Sequence, residues 1–229
     1  MTQITDHLAN TRERISTALE ASGREPDSVL LLAVSKKQSA EAIEAAWLAG
    51  QRHFGESFVQ EALAKMGQLA HLDIVWHFIG QVQSNKTRAI AEHFAWVHTV
   101  DRPKTALRLN AQRPRLAPPL RVLIQVDLAR EPQKAGVAEA DLAELAAIVA
   151  SQPRLEFEGL MCIPPAHDTP VERRARFARL AQLQRELRDG GLATQMLSMG
   201  MSGDLELAIA EGSTCVRVGT AIFGPRRAD

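Results

Sequence analysis

The sequence predicts an α/β protein: a single (β/α)8 barrel of the TIM type with an extra N-terminal helix. Three observations point there. Strand-like stretches, about eight of them, alternate with helices or helical turns along 229 residues, roughly the length of a small barrel. The strands are runs such as Val122-Leu123-Ile124-Gln125-Val126 rather than strict alternations, as parallel strands covered by helices should be. No linker or low-complexity segment divides the chain, and 45% hydrophobic residues supply one full core. A doubly wound open sheet is the alternative, because periodicity does not reveal closure.

The elements follow in order. Residues 4–22 read as an amphipathic helix, with Ile4, Leu8, Ile15 and Leu19 near helical spacing and Gly23 ending it. One domain over 1–229 then divides into the helix and lead-in, 1–28, and the barrel, 29–224. Strands are expected at 29–35, 51–55, 74–80, 96–101, 120–127, 155–163, 194–199 and 214–219. Ala- and Leu-rich segments with helical period fall between them, among them 40–49, 139–150 and 171–187. The proline-rich run Arg113-Pro114-Arg115-Leu116-Ala117-Pro118-Pro119 is a loop before a strand rather than a domain boundary.

Composition narrows the function. Lys plus Arg and Asp plus Glu both total 27, so no basic excess argues for nucleic acid. No apolar run is long enough to span a bilayer, and the first residues carry no basic-then-apolar signal pattern, so a cytoplasmic protein is expected. Cys162 and Cys215 lie in apolar stretches and read as small buried residues of a reducing compartment. The histidines form no metal-spaced pair, and no metal site is expected. Tyrosine is absent, which excludes any phenol acting as acid, base or phosphate ligand within this chain.

In a barrel, chemistry sits at the C-terminal ends of the strands, and the first and last strands are neighbours. Lys36 follows the first strand, so it faces the same mouth as the turn that begins at Arg217, nearly the whole chain away. Strand alternation sends Lys36 and Lys37 to opposite sides, so at most one enters the barrel. A partly desolvated lysine near other cations becomes a nucleophile towards carbonyls. The glycine-rich stretch Ser198-Met199-Gly200-Met201-Ser202-Gly203 leads into a helical segment, and Gly219 and Thr220 follow the last strand. Barrels often bind phosphate with these two loops. The plainer alternatives are Ser202 as an N-cap and Gly219 as a tight turn. Arg217 sits between Val216 and Val218 and must be satisfied if buried. It either pairs with an inward carboxylate such as Glu56 or Asp127, or faces the ring nitrogen of a phosphorylated pyridine aldehyde. An amine beside a phosphate cradle makes pyridoxal 5'-phosphate (PLP) the candidate cofactor. His77 reads as a satisfied core histidine.

Six ordered motifs resemble the pyridoxal phosphate homeostasis proteins. They are Ala33-Val34-Ser35-Lys36, His53-Phe54-Gly55-Glu56, Trp76-His77-Phe78-Ile79-Gly80 with Gln83-Ser84-Asn85-Lys86, Gly159-Leu160-Met161, Ser198-Met199-Gly200-Met201-Ser202, and the stretch from Val216 to Gly224. The resemblance implies a barrel related to the N-terminal domain of bacterial alanine racemase, with Lys36 as the Schiff-base lysine. It implies that Ser202, Gly219 and Thr220 bind phosphate, that Met199 and Gly200 line that side, and that Arg217 faces the ring nitrogen. It further implies a protein without established catalysis, linked to keeping vitamin B6 and amino-acid pools balanced; the leading expectation is a monomer that holds PLP and releases it or delivers it to PLP-dependent apo-enzymes. Ser57, Gln38 and Met199 depart from the family pattern, and Lys134 lies in a loop the family also has. The alternatives are a PLP-dependent amino-acid racemase, which lacks the tyrosine base, and a cofactor-free Schiff-base aldolase, which would leave Arg217 without a purpose.

Overall fold

In the computed structural model, which describes residues 2–129 and 135–225, eight parallel strands pair in chain order and the last closes on the first. They are β1 (Leu30–Val34), β2 (His53–Glu56), β3 (Val75–Phe78), β4 (Trp96–Val100), β5 (Leu120–Gln125), β6 (Leu155–Met161), β7 (Met196–Met201) and β8 (Cys215–Val218). Closure rests on the β1–β8 ladder, where Leu32 lies opposite Arg217 and Ala33 opposite Val218. The barrel reading therefore holds and the open sheet does not. The strands are mostly shorter than the apolar runs suggest, because the C-terminal residues of those runs leave the ladder for the loops of the mouth.

The helices between strands are α2 (Ala40–Leu48), α3 (Val59–Gln68), α4 (Thr87–His93), α5 (Pro103–Gln112), α6 (Leu142–Ala150), α7 (Pro170–Asp189) and α8 (Leu205–Ala210). The N-terminal helix α1 (Thr2–Ala21) lies outside the barrel, and a short α9 (Thr220–Phe223) follows β8. Several starts have visible causes. Ser39 caps α2 by accepting from Ala42 N, and Thr169 with Glu172 forms a reciprocal capping box on α7, with proline just inside. Pro103 likewise opens α5. Helix α8 departs from expectation: Asp204, not Ser202, occupies its N-cap position.

The apolar core lies mostly between sheet and helices. Phe78, Val97, Val122, Ile124 and Met199 pack in one cluster with helical residues such as Ile90, Leu109, Leu145 and Phe177. Strand alternation gives the opposite face to the barrel interior, where Trp96, Leu123 and Met161 form a separate small cluster. Above it the interior is polar, with His77, His98, Ser198 and Arg217 all buried. That polar layer leads into the mouth. Among the described residues, no helix is long and apolar enough to cross a membrane.

Candidate functional site

One cavity of about 240 Å³ opens at the C-terminal mouth beside β1 and β8. Lys36, Arg217, Ser202, Gly219 and Thr220 all line it, with Gln38, Met201 and Gly203 beside them. The closed topology thus brings together five of the seven residues expected at the site. Met199 and Gly200 take other places. Met199 is fully buried in the sheet–helix core. Gly200 has φ +95°, and a Cβ there would come within 2.6 Å of the Ala208 side chain. It is the glycine that lets β7 bend closely against α8 and carry Met201 and Ser202 into the mouth.

The lysine loop is fixed differently from the strand alternation expected for it. β1 ends at Val34, and Lys37 adopts φ +61°. The turn Ser35-Lys36-Lys37-Gln38 leaves Lys37 exposed and places both Lys36 and Gln38 along the cavity. A buried ion cluster holds this turn on each side of Lys36. Ser35 Oγ donates to Glu56 Oε1 (2.6 Å), Lys65 Nζ donates to Ser35 O (2.8 Å), and Lys37 N donates to Glu61 Oε1 (2.5 Å). Lys65 Nζ also pairs with Glu56 at 2.8 Å and Glu61 at 2.6 Å. Burial pushes the Glu56 carboxyl above its ordinary range, while the Lys65 charge and the bonds from Lys65 and Ser35 pull it back. Its Oε2 has no hydrogen-bond partner among the described residues.

Arg217 is buried, and its three side-chain hydrogen bonds all go to neutral oxygens. Nη1 donates to Ser198 O (2.6 Å) and Ser198 Oγ (2.8 Å), and Nη2 donates to Cys162 O (2.9 Å). Among the described residues, the carboxylate pairing expected as one alternative does not occur: Glu56 is engaged by Lys65. Burial lowers the guanidinium pKa, yet an arginine keeps its proton in proteins. The site therefore has a fixed positive charge at its floor.

The two loops beside it fit an anion. Among the described residues, the N–H groups of Ser202 and Gly203 have no acceptor within the chain, and those that open α9 at Thr220 precede any intrahelical acceptor. The β7 loop is pinned from behind: Met201 N donates to Asp204 Oδ1 (2.5 Å), and Arg173 Nη1 reaches Asp204 Oδ2 (3.1 Å). Arg14 of α1 donates to Ser202 O (3.0 Å). Gly219 packs against the β1 backbone, with a Cβ at that position only 3.2 Å from Val34 O. These features suit a phosphorylated aldehyde: a lysine, a fixed cation, and free N–H groups on two glycine-containing loops.

Some features lie outside the expected site. Cys162 and Cys215 are free and buried, and burial pushes their thiols up to about 12 and about 11. Lys134 lies outside the described residues. Among the described residues, no group of three or more His, Cys, Asp and Glu could hold a metal ion. Lys65, Glu61 and the joining of His77 to His53 and His98 escaped sequence reasoning, although His77 itself is the buried core histidine expected. The one available signal was that His53, His77 and His98 fall in three successive strands.

The alanine racemase N-terminal domain model matches residues 7–227. A pyridoxal phosphate homeostasis protein of Pseudomonas aeruginosa is 51% identical over 226 residues, covering 99% of this chain and 97% of that relative. One of Escherichia coli K12 is 49% identical over 234 residues, covering 99% and 98%. A solved structure of PipY from Synechococcus elongatus with PLP bound superposes with a TM-score of 0.87 at 41% identity, covering 97% of this chain and 100% of that one.

Proposed function

The chain belongs to the pyridoxal phosphate homeostasis family, built on the alanine racemase N-terminal domain, and we propose that it is a reversible carrier of PLP. In this reading it holds PLP as a Schiff base on Lys36, works in the cytoplasm as a monomer, and releases PLP or hands it to PLP-dependent apo-enzymes. The observation that supports this most is that Lys36, Arg217 and both phosphate-type loops line one cavity.

When bound, PLP would supply an aldehyde that a neutral amine can capture reversibly. The chain's residues have separate tasks. Lys36 supplies the amine, and the ion cluster around Ser35 and Glu61 orients its turn. Ser202, Gly203, Gly219 and Thr220 offer hydroxyl and backbone donors to the phosphate. Arg217 keeps its own proton and so leaves the ring nitrogen unprotonated, which weakens the ring as an electron sink.

The same inventory argues against turnover. A two-base racemase needs an acid/base on each face of its substrate. The ionisable groups lining the cavity are Lys36 and Arg217, tyrosine is absent from the chain, and both thiols are buried with raised pKa values. Among the described residues lining the cavity, none stands as a second base beside Lys36, which favours binding and release over turnover.

The test is the visible spectrum of protein incubated with PLP, followed by borohydride and peptide mass analysis, beside a Lys36→Ala variant. The expected result is a visible band abolished by borohydride, with the added mass on the Lys36 peptide and neither in the variant. A wild-type protein that takes up no PLP would overturn the reading. Conversion of a free amino acid at enzymatic rates would replace it with racemisation.

A further inference from the structure

A row of side chains crosses the barrel interior from the cofactor cavity to the opposite mouth, and the carrier function as stated does not use it. His53 Nδ1 lies 2.9 Å from His77 Nε2, and His77 Nδ1 lies 2.9 Å from His98 Nε2. His98 Nδ1 lies 3.0 Å from Ser198 Oγ, which accepts from Arg217 Nη1 at 2.8 Å. His77 and His98 are fully buried. Half-buried His53 lines a second cavity between the N-terminal ends of β1, β2 and β8.

Every imidazole in the row uses the same atoms in the same sense. Nε2 points towards His53 and the far mouth, and Nδ1 points towards Ser198. A hydrogen bond between two nitrogens holds one proton, and a neutral imidazole has one N–H. Only two neutral arrangements therefore satisfy the whole row. Either all three histidines carry the proton on Nε2 and the Ser198 hydroxyl donates to His98, or all three carry it on Nδ1 and His98 donates to Ser198.

We propose that His98, His77 and His53 are positioning residues for Arg217: a chain of aligned imidazole dipoles, protonated on Nε2, that stabilises the unpaired guanidinium charge facing the cofactor cavity. The choice of arrangement follows from Coulomb's law. The bare nitrogen is the negative end of a neutral imidazole. With the proton on Nε2, each bare Nδ1 points towards the cation, and the Ser198 oxygen presents its lone pairs to Arg217. The reverse arrangement would point three N–H groups at a buried positive charge. At low local dielectric that difference is large.

A second cation stands near the far end. Arg121 lies over the Trp96 ring, 5.2 Å from its centroid, and Trp96 stacks on His77 at 5.3 Å. Its influence is weaker because it is half exposed and pairs with Glu156 at 3.0 Å and Glu158 at 3.5 Å. Arg217 touches the row directly through Ser198 and, among the described residues, has no carboxylate in hydrogen-bonding contact; Asp204 acts on it only from a distance. The histidines also stay uncharged as the arrangement requires: burial and then Arg217 hold His98 down to about 3. Burial first, then His98, His53 and Arg121, holds His77 well below its ordinary value. The row thus does the work of a carboxylate counter-ion without cancelling the charge offered to the cavity.

What that charge acts upon rests on the proposed carrier function, so the experiment separates the two. Long-range proton–nitrogen NMR correlation on 15N-labelled protein without PLP reads the three tautomers directly. The expected result is Nε2–H at His53, His77 and His98. Nδ1–H or mixed tautomers at His98 would overturn the proposal. In Arg217→Gln the selecting charge is gone, and mixed tautomers are expected; an unchanged single tautomer there would also overturn it. For the cofactor side, His98→Leu should weaken PLP binding about tenfold, the scale of one lost hydrogen bond in a charged network, with recovery in His98→Gln. Unaltered PLP affinity in His98→Leu would sink the positioning role. Should the wild type take up no PLP, the carrier reading fails while the tautomers still decide the row.

Discussion

Two corners of the barrel each bury a cation, and they satisfy it in opposite ways. At the β2–α3 corner, Lys65 sits between Glu56 and Glu61 and also donates to Ser35 O. At the β7–β8 corner, Arg217 meets two carbonyls and one hydroxyl. The first charge is cancelled and serves as a brace for the lysine turn. The second has only neutral acceptors in hydrogen-bonding contact and faces the cavity. A buried cation can therefore be structural or functional, and its partners decide which. Carboxylates mark the brace, and neutral dipoles mark the charge held for a ligand.

The strongest way to break this contrast is to remove the brace. Lys65→Met would leave Glu56, which is fully buried, with Ser35 as its sole partner. Breaking a buried pair in this way costs about 3–5 kcal/mol, and urea unfolding would read it. Lys65→Met combined with Glu56→Gln should recover a large part of the loss, because no buried charge then remains unpaired. If the single variant unfolds at the wild-type midpoint, Lys65 is not a brace.

Acid unfolding separates the corners by sign. At the β7–β8 corner the folded pKa of His98 is about 3, below the ordinary histidine value of 6.5. A depressed histidine contributes stability that is complete above about 6.5 and is lost as pH falls towards 3, because the unfolded chain binds the proton first. His77 acts in the same direction. Glu56 acts oppositely: its folded pKa is raised, so protonation below that value favours the fold. His98 should dominate between pH 6.5 and 5, removing about 2 kcal/mol over that interval, with His77 adding a loss in the same direction. His98→Gln should flatten the profile by about one proton's slope. A flat wild-type profile over that range would mean that the histidines are not held neutral.

The Arg217 corner can be loosened by a single atom. Ser198→Ala keeps the carbonyl bonds from Arg217 and removes the hydroxyl that joins it to His98. The loss should be about 1–2 kcal/mol of stability, as for a buried hydrogen bond to a charged partner. Weaker PLP binding should accompany it. A larger loss of stability in Ser198→Ala than in Lys65→Met would reverse the order inferred for the two corners.

The contrast also explains what was legible before the structure. All eight strands were visible because parallel strands covered by helices are apolar runs, and closure then placed Lys36 beside Arg217. The lysine turn was harder to read. β1 stops at Val34, and the positive φ of Lys37 replaces strand alternation with a turn that admits Gln38 as well. Met199 and Gly200 were expected at the cavity because they lie inside a glycine-rich motif. The left-handed bend at Gly200 instead sends Met199 to the core and carries Met201 to the mouth. The partners of Arg217 were out of reach because they depend on which residues of distant strands share an interior layer. Ser198 and Cys162 supply carbonyl acceptors to Arg217, a role that side-chain identity does not report. Lys65 reads in the sequence as one more charge on an amphipathic helix, and only the packing of α3 against the β1 turn makes it buried.

The smallest expected effect tests whether the β7 loop, proposed to hold phosphate, has a brace of its own. Arg14 of α1 donates to Ser202 O and pairs with Glu206 at 2.7 Å. It therefore fixes the peptide between Ser202 and Gly203 from outside the barrel, as Lys65 fixes Ser35 from within. The two differ in exposure: the Arg14 side chain is 37% accessible and Glu206 47%. Water screens such a pair, so Arg14→Ala should cost less than about 1 kcal/mol of stability. Salt should erase most of the ion-pair share while leaving the bond to the carbonyl. PLP affinity is the sharper readout, because the Ser202 and Gly203 N–H groups lose their orientation even where the fold does not weaken. A fall of a few-fold in affinity at unchanged Tm, with the Lys36 attachment retained, is the expected outcome. An affinity equal to wild type would show that the β7 loop needs no support beyond Asp204, and that bracing from a distance belongs to the lysine side alone.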